Sequence, residues 1–159
     1  MRIFLAACLA ILASCGAPSA PVSEAPEAAH ASAPIQITDA WAAPTPGGVS
    51  VSAGYLTITS TQDRDDTLLA VETTRAGRAE IHEMAMQGEV MQMRRAEHLM
   101  IPAGGAVTLA PGGMHLMFYD VTAAFAVGEM IPVRLRFANA GEVTVELAVR
   151  PPSSGHSGH

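Results

Sequence analysis

Lysine is absent from this chain of 159 residues, and nine arginines face fifteen acidic residues for a formal net charge of −6. The arginines are scattered, so the clustered basic face that phosphate binding requires cannot form, which excludes nucleic acid as a partner. Cysteine is nearly absent as well: Cys8 and Cys15 both lie in the first fifteen residues. If Cys8 leaves with a signal and Cys15 is acylated, the mature chain has no disulfide framework, no Cys-x-x-Cys redox pair and no cysteine nucleophile. A blue-copper centre is excluded on the same ground, because it needs a Cys thiolate. No convincing long helix and no internal repeat is present.

What is there begins with a secretion signal. Arg2 precedes an apolar stretch from Ile3 to Ala13, and Leu12-Ala13-Ser14-Cys15 closes it with small residues before a cysteine. That pattern matches a signal peptide over residues 1–14, and the run is well short of the roughly 20 residues a spanning helix needs. The Leu-Ala-Ser-Cys ending resembles the bacterial lipobox, which implies cleavage before Cys15 and lipid on its sulfur. The alternative is an ordinary signal cut near Ala17 or Ala20. Gly16 after Cys15 resembles the outer-membrane sorting pattern, so the expected location is periplasmic, on the outer membrane of a Gram-negative bacterium. Residues 15–34 then form a lipidated cysteine and a tether rich in Ala, Pro, Ser and Glu, too apolar-poor to order itself. His30 in that tether is read as a solvated histidine. Residues 151–159 read as a disordered tail by composition.

Residues 35–150 suffice for one domain with a sizeable core. Val49 to Ser52 leads through Ala53-Gly54 into Tyr55-Leu56-Thr57-Ile58-Thr59, and Leu68 to Thr74 follows. Val133, Leu135 and Phe137 alternate with Arg134 and Arg136, and Val143, Val145, Leu147 and Val149 alternate with Thr144, Glu146 and Ala148. Period-two alternation, with turn signals at Pro46-Gly47-Gly48, Pro111-Gly112-Gly113 and Ala140-Gly141, predicts an all-β sandwich or barrel of antiparallel strands.

Two histidines and two methionines stand out in this frame. Ten residues separate His82 from Met93, twenty-one separate Met93 from His115, and His115 and Met117 form a His-x-Met step. Thioether sulfur is soft and uncharged, so it selects Cu(I) over Zn(II), Mg(II) or Ca(II), and imidazole serves copper as well as zinc. Residues 82–86 and 90–93 flank a candidate hairpin turn. If Gly88-Glu89 is a two-residue turn with Gly first, Met84 faces Met93, Met86 faces Met91, and His82 lies diagonal to Met93 on the same face. His115 and Met117, two apart, share a face of a third strand. Methionine in a strand is more often packing than ligation, so Met86, Met91, Met100, Met114 and Met130 are read as core or surface. His98-Leu99-Met100 is a decoy of the same His-x-Met form, placed in a turn after Arg94-Arg95.

The four-residue spacing resembles the PCu(A)C family of periplasmic copper chaperones. The likeness extends through Asp39-Ala40-Trp41, Gly54-Tyr55-Leu56-Thr57-Ile58, Ile101-Pro102-Ala103-Gly104-Gly105, Pro111 to Met117, and Phe137-Ala138-Asn139-Ala140-Gly141. The resemblance implies a cupredoxin-like Greek-key β-sandwich that binds one Cu(I) through His82, Met93, His115 and Met117. It also implies delivery to the copper centre of a respiratory oxidase, directly or through a Sco-type thiol protein. A Met that the family often places near the first His has a candidate in Met84. Some members carry a long His- and Met-rich extension for Cu(II); here only His156 and His159 remain, which leaves at most a weak Cu(II) site.

The competing classes are an enzyme and a copper-storage or purely structural lipoprotein. His82-Glu83 begins like the zinc-protease His-Glu-x-x-His, but Met86 stands where the second histidine belongs. A non-enzymatic, monomeric chaperone, held to the membrane by its lipid, is the expectation.

Overall fold

The computed structural model describes residues 33–152 with the exception of Glu89. The expected signal, the lipidation site Cys15, the tether and the tail histidines His156 and His159 lie outside the described residues.

Ten strands follow in chain order: β1 (Ile35–Ala42), β2 (Val51–Ser60), β3 (Asp66–Glu72), β4 (Ala76–Gln87), β5 (Val90–Ala96), β6 (Leu99–Ile101), β7 (Ala106–Leu109), β8 (His115–Val121), β9 (Met130–Phe137) and β10 (Glu142–Val149). No helix is present among the described residues. The hydrogen-bonded order is β5-β4-β8-β2-β1-β10-β9-β3-β6, with β7 pairing the second half of β2. All pairs are antiparallel except β1 with β10, where Trp41 meets Ala148 and Ala42 meets Val149. Non-consecutive neighbours such as β4-β8-β2 are the crossovers of a Greek key.

The two halves of this path face each other across one core. Leu56, Ile58, Ile81, Leu116 and Phe118 come from the first half, and Leu68, Val71, Ile131, Val133, Leu135, Phe137, Leu147 and Val149 from the second. The alternation read in the sequence produces this directly: Ile131, Val133, Leu135 and Phe137 of β9 are buried while Met130, Pro132, Arg134 and Arg136 are exposed. Each such side chain contributes about 1.5–3 kcal/mol by leaving water. Gly54 marks a tightly packed point in this core. A Cβ added there would lie 2.8 Å from Phe118 Cε2 and 2.9 Å from Leu147 Cδ2.

One buried carboxylate ties the loops at one end together. Asp66 is 1% exposed, and its oxygens accept the backbone N–H groups of Thr67, Asn139 and Ala140 and the side-chain amide of Gln62. Burial alone would raise its pKa, but these hydrogen bonds together outweigh it and the carboxyl sits below its ordinary value. The turn expected at His98-Leu99-Met100 narrows to residues 97–98, since Leu99 and Met100 lie in β6. Arg94 and Arg95 before it lie inside β5. Paired across from Glu83 and His82, they extend the hairpin because opposite charges on facing strands favour pairing: Arg94 donates to Glu83 at 3.0 Å, and Arg95 reaches Glu80.

Candidate metal centre

The β4–β5 hairpin has the predicted register. Gln87 pairs with Val90, Met86 with Met91, Met84 with Met93 and His82 with Arg95. Gly88, at φ +67°, supplies the left-handed backbone that a tight hairpin turn needs at its first position. On the other side of β4, β8 pairs antiparallel so that His82 meets His115 and Glu80 meets Met117. The topology therefore sets the two histidines directly opposite each other.

Side chains alternate across a strand, so the neighbours of these residues show which face they occupy. Ile81, Leu116 and Phe118 are buried in the core. His82, Met84 and Glu80 of β4, Met93 of β5, and His115 and Met117 of β8 consequently share the opposite, outward face. Both histidines are nevertheless buried, at 8% and 6% exposure, while Met93 is half exposed. Met84 and Met117 are intermediate.

Aromatic rings bury the histidines on that outer face. Trp41 packs on Tyr55 with centroids 4.3 Å apart, and Tyr55 lies 6.5 Å from the His115 ring. The His115 and His82 rings are 5.9 Å apart, and Tyr119 is 6.0 Å from His82. Guanidinium groups cover the row at both ends, Arg150 over Trp41 at 4.8 Å and Arg78 over Tyr119 at 4.4 Å. Burial in this row pushes the Tyr55 phenol above its usual pKa.

Each histidine has one committed ring nitrogen. His115 Nδ1 is 2.9 Å from the Gly113 carbonyl; a carbonyl only accepts, so Nδ1 carries the proton and Nε2 keeps its lone pair. His82 Nε2 lies 2.9 Å from Glu80 Oε2, with the Tyr119 hydroxyl at 3.4 Å. His82 Nδ1 is buried and has no hydrogen-bond partner. A buried lone pair with no partner is costly and uncommon, and an incoming cation would satisfy it. Glu80 stays ionised: the hydrogen bond from His82 lowers its pKa most, burial works against this, and Arg78 and Arg95 lower it further.

Among the described residues no three or more His, Cys, Asp and Glu side chains form a metal-holding group. Any ion on this face would take thioethers beside the two imidazoles, a donor set suited to a soft monovalent cation. The decoy step is elsewhere: Met100 is 65% exposed on β6, opposite Thr67 of β3. The sequence reading missed Glu80, Tyr55 and Tyr119. The Glu80-x-His82 step on a predicted strand was the available signal for the first.

Residues 35–149 match the family model described as "Putative lipoprotein LpqE-like". "Putative lipoprotein Lxx21020" of Leifsonia xyli subsp. xyli is 26% identical over 79% of this chain and 75% of its own length. Among solved structures, the copper-bound PCuAC domain from PmoF2 superposes with a TM-score of 0.66 and 28% identity, covering 75% of this chain and 94% of that domain. The apo PCuAC domain from PmoF1 gives a TM-score of 0.64 and 27% identity, covering 75% of this chain and 95% of that domain.

Proposed function

The chain belongs to the LpqE-like family and has the PCuAC domain fold, and from this premise we propose that it is a periplasmic, lipid-anchored copper chaperone. It binds one Cu(I) through His82, Met93, His115 and Met117 and delivers it to a respiratory oxidase copper centre, directly or through a Sco-type protein. The observation that carries this reading is the histidine pair: two buried imidazoles, register partners on adjacent strands, each with a ring nitrogen free for an ion. Copper bound to the related PmoF2 domain supports the choice of metal.

The donor set explains both retention and release. Two imidazoles and two thioethers hold Cu(I) without adding negative charge, and neither donor type needs deprotonation at neutral pH. Thioethers yield readily to a thiolate or to a dedicated acceptor site. Met93 sits half exposed on β5, the edge strand of the order, where an incoming ligand can replace it first. The buried histidines hold the ion until last. Met84, opposite Met93, is placed to substitute for it during exchange. The lipid on Cys15 keeps this handover near a membrane, with the outer membrane as its site.

The test is an anaerobic Cu(I) titration of the protein, followed by incubation with an apo oxidase copper domain. One tightly bound Cu(I) that moves to the acceptor supports the chaperone. Several bound ions without transfer point to storage, and no binding points to a structural lipoprotein.

A further inference from the structure

Glu80 lies beside the histidine pair with a side chain only 9% exposed, and no part of the copper-binding set employs it. Its Oε2 is 2.9 Å from His82 Nε2, while Oε1 lies 3.4 Å from both Arg78 Nε and Arg95 Nη1. Flanked by two guanidinium groups, the carboxylate is an acceptor only, so the His82 Nε2 must be the donor. A neutral imidazole carries one N–H, which leaves Nδ1 bare. That atom is the one buried side-chain nitrogen or oxygen among the described residues with no partner.

We propose that Glu80 is a positioning residue: it fixes His82 as the Nε2–H tautomer and thereby makes Nδ1 the copper-binding nitrogen. The Gly113 carbonyl does the reverse for His115, whose Nδ1–H donation leaves Nε2 to bind. The centre is then asymmetric, with one histidine ligating through Nδ1 and its partner through Nε2. Hydrogen bonds of this kind orient ligating histidines and fix their tautomers. The assignment rests on the copper reading for the word ligand, but the tautomers are properties of the metal-free protein.

Three residues make the lock. Arg78 and Arg95 hold the Glu80 carboxylate from its Oε1 side, which leaves Oε2 directed at the ring. Tyr119, within 3.4 Å of the same Nε2, could otherwise donate its hydroxyl there and favour the Nδ1–H form. Without the carboxylate the ring has a competing donor at Nε2 and no acceptor to keep the proton.

Long-range proton–nitrogen NMR of the metal-free protein reads both tautomers directly. The expected result is a protonated Nε2 with a bare Nδ1 in His82, and the opposite in His115. Glu80→Gln keeps only one acceptor oxygen, which Arg78 and Arg95 claim, so its NH2 faces Nε2. It should therefore shift His82 toward the Nδ1–H tautomer and lower Cu(I) affinity. Glu80→Ala should mix the tautomers and weaken Cu(I) binding by about 10–100-fold, the range seen when such a supporting group is removed. A protonated Nδ1 in parental His82 overturns the proposal, as does an unchanged tautomer and affinity in Glu80→Ala. If Glu80→Ala does not fold, the parent and Glu80→Gln spectra decide alone. A reversed tautomer in a protein that still binds Cu(I) sinks only this inference, whereas a parent with the expected tautomers that takes up no Cu(I) sinks the copper reading.

Discussion

His82 and His115 are register partners on the adjacent antiparallel strands β4 and β8, with ring centroids 5.9 Å apart. Thirty-three positions of sequence separate them, and the crossover that brings β8 against β4 closes that distance. Each ring keeps one nitrogen uncommitted because a fixed acceptor, the Glu80 carboxylate or the Gly113 carbonyl, engages the other.

The strand carrying His115 and Met117 depends on the close approach at Gly54, since Gly54 pairs with Leu116 and Ala53 with Met117. Gly54→Ala places a methyl 2.8–2.9 Å from Phe118 and Leu147. It should destabilise the fold by about 1–3 kcal/mol through overpacking. Denaturant unfolding measures this, and an unchanged midpoint would contradict the close packing assigned to this position.

Asp66 makes stability depend on acid. Its folded-state pKa is lowered, because the hydrogen bonds to the carboxylate outweigh the burial that alone would raise it. Its stabilisation is therefore fully present above the unfolded carboxyl pKa of about 3.9 and is lost as pH falls through the lower folded value. Asp66→Ala should cost about 3 kcal/mol at pH 7, because it orphans buried backbone N–H groups. Below the folded-state pKa the gap to the parent should narrow. Urea unfolding of both proteins across acid pH checks the sign; a gap that widens on acidification would refute it.

The anchor is tested at its sulfur. Acyl transfer needs the thiol, so Cys15→Ser should accumulate as an unlipidated precursor. Mass spectrometry and membrane fractionation read this, and a variant that matures like its parent would show that the lipobox reading is wrong.

Removal of residues 156–159 should leave Cu(I) binding unchanged. His156 and His159 offer two imidazoles with no thioether beside them, a donor pair that suits at most a weak Cu(II) site. A large loss of Cu(I) affinity on truncation would contradict the four-residue site.

Much of this architecture was legible in the chain because its signals are local. The alternation of β9 and β10 gave their buried faces, and a glycine-first turn at Gly88 set the hairpin register that places Met84 opposite Met93. The His115-x-Met117 step gave a shared face without any knowledge of the partner strand. Glu80 was not legible as a tautomer lock, because its role depends on His82 two residues on and on Arg95 from across the hairpin. The aromatic row was hidden for a similar reason: Trp41, Tyr55 and Tyr119 lie on three strands that meet only through long-range pairing. His98-Leu99-Met100 looked like a turn because charged residues interrupt the apolar run before it. Pairing of Leu99 with Leu68 and of Met100 with Thr67, distant in sequence, makes the last two residues strand.

X-ray absorption at the copper edge of the Cu(I)-loaded protein tests the central claim most directly. The expected shell contains two sulfur and two nitrogen scatterers. In the Met93→Leu, Met117→Leu double variant, which keeps side-chain bulk, the protein should still fold while the shell loses sulfur, retaining at most the one that Met84 can supply. Its Cu(I) affinity should fall by about 100-fold, or about 2.7 kcal/mol, with Met100→Leu unchanged beside it. A parental shell without sulfur, or full affinity in the double variant, would contradict a centre built from two histidines and two methionines.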